Sequence, residues 1–439
     1  MKQNITAVLL SGGTASRFWP LLDKNTFVFQ GKEFLYWHYL QLIRTGIDTC
    51  IVVTNESTNN SIRSITVPEE LRVSYAIQKG QGMGQAVAAL DGKLFEEPII
   101  ILNASDYYSD SFMTSFTQKI TKEEKMVLGA VCMSTYFPGG YLRFNADKTV
   151  AEIIEKPKKG TEPSDMVTIV ADYFPNASVF IDAIKKHGSD AIGGYEKALS
   201  AVLARSTDCN VEVAQMTDWC PMKYPWHVLT CMQQFFPTKQ EQHIHPSVEI
   251  KKNVVIEGAV IIEEGVKIFE GTKIVGPVYI GKNTIIGNNN IIRCSHIGAF
   301  VVTGFSTDIT RSYIGDNCWF HTNYIGDSVI GNNVSMGSGS VCANLRLDDE
   351  EISSVVKGEK IKTGKNKLGA MIGNNVRIGV NTSIMPGVKI GQNSFIGAGV
   401  VVDCDLEEDK FIFLKNGIPT TIDNTKKIAG SRDEFRKSL

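Results

Sequence analysis

Nothing in these 439 residues is spaced as C-x-x-C, and the nine cysteines are scattered and odd in number. That pattern argues against a zinc site or a disulfide framework and fits reduced thiols. Nor does charge of one sign dominate. Lys+Arg 45 against Asp+Glu 47 leaves a formal charge of −2, so no global field draws the chain to nucleic acid or to an anionic membrane surface. No run of about 18 uncharged apolar residues is present, and the N-terminal stretch lacks a basic segment followed by an apolar core and a small-residue cleavage site. The expectation is a cytoplasmic protein without a nucleic-acid or membrane partner. Its length exceeds one ordinary core, so two or more domains are expected.

What the chain does contain is two different periodicities. In the first half, short apolar runs alternate with helix-like segments. Thr6–Leu10, Thr49–Thr54, Pro98–Asn103 and Val127–Met133 read as strands, and Glu33–Thr45 and Gln85–Phe95 as helices. That alternation predicts a Rossmann-like α/β domain, a mostly parallel sheet with helices on both faces and ligands at the carboxyl ends of its strands. From residue 244 the pattern changes. Isoleucine occupies 244, 250, 256, 262, 268, 274, 280, 286 and 292, and a second set follows at Ile330, Met336, Cys342, Ile372, Ile378, Ile384, Ile390, Ile396 and Val402. Neither a helix nor a flat strand keeps a period of six. A chain that turns a corner every six residues does, burying one side chain per short strand, with Gly and Asn at corners that need positive φ. The expected domains are 1–237, a linker at 238–243, a hexapeptide β-helix at 244–410 and a tail at 411–439. Residues 343–371 are read as a projecting loop.

The stretch SGGTASRFWP, residues 11–20, follows the first apolar run directly. A glycine pair at a strand end with one arginine suits phosphate, yet it is neither the P-loop spacing nor the dinucleotide fingerprint. Leu10, Ser11, Gly12, Gly13, Ser16, Arg17 and Pro20 instead match the opening loop of the sugar-1-phosphate nucleotidyltransferase superfamily. An α/β domain followed by a hexapeptide coil resembles the bifunctional glucosamine-1-phosphate N-acetyltransferase/N-acetylglucosamine-1-phosphate uridylyltransferases, especially the archaeal type. Further matches are Tyr324-Ile-Gly-Asp-Ser-Val-Ile-Gly, Ala343-Asn344-Leu345-Arg346 and the run Ile378–Ile390. The resemblance implies a left-handed coil, assembly as a homotrimer through it, and attack of a sugar 1-phosphate on a nucleoside triphosphate, UTP being the expected one. It implies that Leu10, Ser11, Gly12, Gly13, Gln78 and Gly82 hold the nucleotide and that Arg17 and Lys24 act on its phosphates. Asp106 would bind Mg²⁺, and Glu155 and Lys156 the sugar. The chain departs from the pattern at Ala15, Asp23, Leu142 and Pro221, and the usual Asn is not evident around Thr168–Asp172. Pro221 stands where relatives carry the second metal-binding Asp, so nucleotidyl transfer is expected to be weakened or lost unless Asp218 substitutes.

In the second half, His321-Thr-Asn-Tyr324-Ile-Gly-Asp327 resembles the family's acetyltransferase segment. The resemblance makes His321 the base that takes a proton as an amine attacks acetyl-CoA. By the same resemblance Tyr324 and Asn344 would position the amino sugar, Lys367 would meet its phosphate or the cofactor, and Gly369 and Ala370 would approach acetyl-CoA. Glu350 stands where archaeal-type relatives tend to carry a cation. The leading reading is N-acetylation of glucosamine 1-phosphate or a similar amino-sugar 1-phosphate. Two others stay open: an active nucleotidyltransferase, and a non-catalytic regulatory or scaffold subunit.

Overall fold

Thr6–Leu10 is buried along nearly its whole length and sits in the middle of a nine-stranded sheet, as an apolar run without alternation should. In a computed structural model that describes residues 5–94, 96–122, 125–188, 193–205, 209–237, 240–428, 430 and 432–439, this strand pairs in parallel with Thr49–Thr54 and Ile99–Asn103. Arg72–Ile77 extends the sheet on one side, and antiparallel Met166–Phe174 joins Ile99–Asn103 on the other. Helices cover both faces. Phe34–Arg44 and Asp110–Lys122 pack on one, and Met83–Ala88, Ala177–His187 and Gly194–Leu203 on the other. Ala177–His187 starts where Asn176 accepts a hydrogen bond from Ser178 N–H and ends in Lys185, Lys186 and His187, which suit its carbonyl end. The helix expected to reach Phe95 stops at Ala88; Leu90 and Asp91 bond three residues back, and Gly92 takes φ 71°. Phe95 itself lies outside the described residues.

The contacts group the chain into two units: Met1–Thr14, Asn25–Phe27 and Glu33–Pro221 in one, and Ala15–Lys24, Val28–Lys32 and Met222–Leu439 in the other. Residues 238 and 239 of the expected linker lie outside the described residues, and the first coil strand begins at Gln242. The second unit is built on a three-sided column in sheets of eight, ten and eight strands, parallel except for the last pair of the ten. Asn283, Asn289, Asn317, Asn333, Asn375, Asn381 and Asn393 take positive φ at its corners, where their short polar side chains tolerate the left-handed region. Ile262 pairs with Ile280, Ile280 with Ile297, Ile297 with Ile314 and Ile314 with Ile330. A turn therefore shortens from 18 residues to 17 and then 16. Five-residue steps explain the silence of the six-residue pattern between 292 and 330. Ile297, Ile309, Ile314, Phe320 and Ile325 fill those rungs, all fully buried. Each such side chain contributes about 1.5–3 kcal/mol of transfer free energy.

Within 343–371 lies an antiparallel hairpin, Ser353–Val356 with Glu359–Lys362. Beyond residue 410 the column continues. Lys410–Lys415 adds to the ten-stranded sheet with Phe411 beside Phe395, then folds back as Ile418–Asp423, and Asp433–Lys437 is a short helix. Among the described residues, no helix is long and apolar enough to cross a membrane.

Candidate functional site

In the first unit, the expected nucleotide-binding residues gather at the carboxyl end of the central strand. Ser11 N–H donates to Val53 O, and the carbonyl of Gly12 accepts from Asn55 Nδ2 at 3.0 Å. Gly12 has a packing reason: a Cβ there would collide with the amide of Gln78, which is buried and donates to Gly80 O at 2.7 Å. Gly82, φ 92°, sets the entry to Met83–Ala88.

Asp106 opens the short strand Asp106–Tyr108, which pairs antiparallel with Trp219–Pro221. In that register Pro221 lies directly across from Asp106, so their Cβ atoms are neighbours about 5 Å apart. Where a second carboxylate would complete a cation site, a pyrrolidine ring stands. Asp106 is nearly buried, and its Oδ2 accepts the indole N–H of Trp219 at 3.0 Å. Asp218 does not substitute. Its Oδ1 takes Ser109 and Ser111 hydroxyls at 2.6 and 3.0 Å, and its Oδ2 takes Gln215 N–H at 2.9 Å. Those bonds hold its carboxyl below the ordinary range although partial burial pushes the other way. Among the described residues no cluster of three or more His, Cys, Asp and Glu is poised for a metal. The donor set does not fit a two-carboxylate Mg²⁺ site.

Glu155 ends its strand opposite Gly140 and is ion-paired with Lys156. Leu142, one of the departures from the family pattern, is fully buried in the apolar cluster of Ile153, Phe180 and Leu199. Arg17 and Lys24 are grouped with the second unit, because Ala15–Lys24 packs there. Lys389, whose side chain is 4 % exposed and paired with Asp405 at 2.9 Å, lies over the Trp19 ring at 4.8 Å. Arg17 is exposed, and Lys24 lies over Phe18. Ala15 adopts φ 49°, a left-handed conformation that costs an L-residue about 1–2 kcal/mol.

On the column, His321 occupies the corner between Trp319–Phe320 and Tyr324–Gly326. Its N–H donates to Asn323 Oδ1 at 2.6 Å. The buried Asn323 side chain in turn donates to Gly337 O and Ser340 O at 2.9 and 3.0 Å, riveting the corner to the next turn. Partial burial, and secondarily the Arg432 guanidinium, lower the His321 pKa from 6.5. A cavity of about 370 Å³ beside it is lined by Trp319, Ser335, Met336, Ile378, Arg432 and Phe435, among others.

The other end of Tyr324–Gly326 carries a polar cluster. Asp327 takes a two-pronged ion pair from Arg311, 2.7 Å on each oxygen, and Asn344 Nδ2 at 2.5 Å. A Cβ on Gly326 would meet the Tyr324 hydroxyl and the Asn344 amide, both at 2.6 Å, so these two side chains converge. Lys367 is exposed and bridges Leu345. Gly369 has no room for a side chain beside Ser328 and Gly326 O. Its N–H is spent on Asp327 O at 2.9 Å and that of Ala370 on Ser328 Oγ at 3.1 Å, so neither amide is free to hold an oxyanion. Glu350 lies exposed in the projecting stretch.

Comparison with known proteins matches residues 6–219 to the nucleotidyl transferase family and residues 369–404 to the bacterial transferase hexapeptide (six repeats) family. The bifunctional protein GlmU of Methanococcus maripaludis (strain C7) is 32% identical over 425 residues, spanning 94% of this chain and 98% of that protein. The chain belongs to the bifunctional GlmU family. A bifunctional sugar-1-phosphate nucleotidylyltransferase/acetyltransferase of Sulfurisphaera tokodaii is 31% identical over 418 residues, 92% of this chain and 99% of that protein. A solved UDP-glucose pyrophosphorylase complexed with UDP-glucose overlaps 46% of this chain and 87% of that one, at 18% identity and a TM-score of 0.40.

Against the GlmU-family pattern, sequence reasoning missed two groups. Arg311 and Asp327 are one: the ion pair joins successive turns of the column and holds Asn344. The other is an acidic set in the first unit. Asp172 is fully buried within the strand Met166–Phe174, where the register slips and Val170 takes φ 52°. Tyr195 donates to its Oδ2 at 2.6 Å. Burial, reinforced by Glu196 and opposed by the Tyr195 bond, raises its pKa to about 7. Burial and Glu155 raise that of Glu196 to about 7 as well. A lone Asp in an apolar strand was the available signal.

Proposed function

We propose that this GlmU-family protein acts chiefly as an N-acetyltransferase on glucosamine 1-phosphate or a similar amino-sugar 1-phosphate, with nucleotidyl transfer weakened. One observation carries the reading: Pro221 faces Asp106 across paired strands, while the column keeps the imidazole of His321 at one corner and Tyr324 with Asn344 at the next. The neutral amine of the sugar attacks the thioester carbonyl carbon of acetyl-CoA. Its proton passes to His321 as the C–N bond forms, the C–S bond breaks, and the imidazolium returns the proton to the departing thiolate. A His321 pKa below 6.5 supports this role, since the base is then unprotonated at neutral pH. Tyr324 and Asn344, held by Asp327, orient the sugar, and Lys367 meets its phosphate. Because the Gly369 and Ala370 amides are internally bonded, their part toward acetyl-CoA is shape rather than N–H donation. Tyr324–Gly326 separates His321 from the Asn344 cluster within one chain, which favours a site completed by a second copy in a trimer.

The test is thiol release from acetyl-CoA with glucosamine 1-phosphate by purified protein. His321→Ala should abolish it and leave the column folded. Absence of release with several amino-sugar 1-phosphates would overturn the reading in favour of a scaffold role. Mg²⁺-dependent pyrophosphate release from UTP and a sugar 1-phosphate at the same rate as acetylation would favour an active nucleotidyltransferase.

A further inference from the structure

The tail of the chain lies on the outer face of the ten-stranded sheet. That face presents Trp319, Ser335, Arg377, Phe395 and Phe411 in successive turns. Asn424 anchors the tail's start, bonding to Asp409 O and Asn393 O at 2.7 Å each. From there three cations sit on three rings: Lys426 over Phe411 at 5.0 Å, Arg432 over Trp319 at 5.6 Å, and Arg436 over Phe300 at 5.3 Å. Arg432 also reaches Ser335 Oγ at 3.3 Å and lines the His321 cavity.

We propose that Arg432 is a positioning residue of the acyl-transfer site, brought by the tail against His321 so that arrival of a phosphorylated ligand controls when the base accepts its proton. The charges around the imidazole support this. Arg432 lines the same cavity as His321 and disfavours its protonation, and Arg377, paired beside Ser335 on the same face, donates to Asn333 and to the Val376 carbonyl. Among the described residues neither guanidinium has a carboxylate partner. Burial lowers both arginine pKa values, and Arg432 contributes to bringing that of Arg377 to about 10. Two half-buried like charges without a counter-ion form a receptor for an anion, and here the anion is an organic phosphate. In the free protein the field of Arg432 opposes imidazolium. A bound phosphate cancels that field, so proton affinity at His321 rises only when the site is loaded.

The inference rests on His321 being the base, but its test reads ionisation without turnover, so the two fail separately. The His321 resonance, identified among the seven histidines by its loss in His321→Ala, is titrated by NMR in the full-length protein. Arg432→Met should raise the midpoint by about half a pH unit, a Coulomb effect discounted for partial exposure. Arg432→Lys, which keeps the charge, should stay near wild type. Saturation with glucosamine 1-phosphate or, separately, with CoA should raise the wild-type midpoint and leave Arg432→Met unmoved; whichever does so supplies the phosphate. An Arg432→Met midpoint equal to wild type, or equal ligand shifts in both proteins, would overturn the proposal.

Discussion

Pro221→Asp supplies the second carboxylate that the proposed function holds to be absent, and the gain can be worked out. Residue 221 lies directly opposite Asp106 in antiparallel register, so the new side chain projects to the same face of the two-stranded sheet. A carboxylate about 4 Å from a dication interacts by roughly 8 kcal/mol gross at an effective dielectric of 20. Desolvation of both partners, together with repulsion between the two carboxylates when no cation is bound, removes most of that. A net of about 1.5–3 kcal/mol remains, or roughly ten- to 150-fold tighter divalent-cation binding. The Trp219 indole N–H bonds one Asp106 oxygen, and the added carboxylate supplies a second anionic ligand opposite it. Mn²⁺ titration followed by electron paramagnetic resonance measures the affinity without requiring turnover. Pyrophosphate release from UTP and a sugar 1-phosphate measures any recovered chemistry. An unchanged Mn²⁺ affinity in Pro221→Asp refutes the charge argument. So does a wild-type protein that already binds Mn²⁺ as tightly as the variant.

Asp172→Asn should flatten the pH dependence of stability. The folded-state pKa of about 7 lies above the ordinary 3.8, so the wild-type penalty is absent near pH 4, grows up to pH 7 and is complete above it. Urea denaturation should show the variant gaining on wild type with rising pH, up to about 4 kcal/mol as an upper bound. Arg311→Met strands the nearly buried Asp327 carboxylate and loosens Asn344, so KM for the amino sugar should rise at least about tenfold with a smaller change in kcat. Asn323→Ala removes three hydrogen bonds at the His321 corner and should lower stability by about 2–3 kcal/mol in the same denaturation assay. The kcat/KM for thiol release should reach its high-pH plateau with an apparent pKa below 6.5, the value for the free enzyme, because partial burial and Arg432 disfavour imidazolium.

The column was legible because it is written in a local code: every rung needs one buried side chain, and a corner resets the count. Where corners shorten by a residue, between Ile292 and Ile330, the code loses its beat while Ile297, Ile314 and Phe320 still fill the core. The parallel strands of the first unit were legible for a similar reason, since burial on both faces demands unbroken apolar runs such as Thr6–Leu10. The departure at Pro221 was legible only through the family resemblance. Its consequence needed the strand register that sets Pro221 across from Asp106. Asp172, Tyr195 and Glu196 were not legible, because their coupling exists only once separate segments pack. Arg432 was not, because 97 residues separate it even from Ser335, which it touches.

That contrast bears on why the proposed function treats the two halves differently. The supports of His321 come from its own corner and from the adjoining turn: Asn323 reaches Gly337 and Ser340 within a few rungs, each held by the same repeating core. A substitution elsewhere in the column leaves that local frame intact. The cation site has no such redundancy. A two-carboxylate site there would need two acidic side chains to meet across a two-stranded sheet of three residues each, from strands more than a hundred positions apart. Changing one of them removes a formal charge and a ligand together, and Asp218, already satisfied by Ser109, Ser111 and Gln215, has no electrostatic reason to leave its bonds and fill the place.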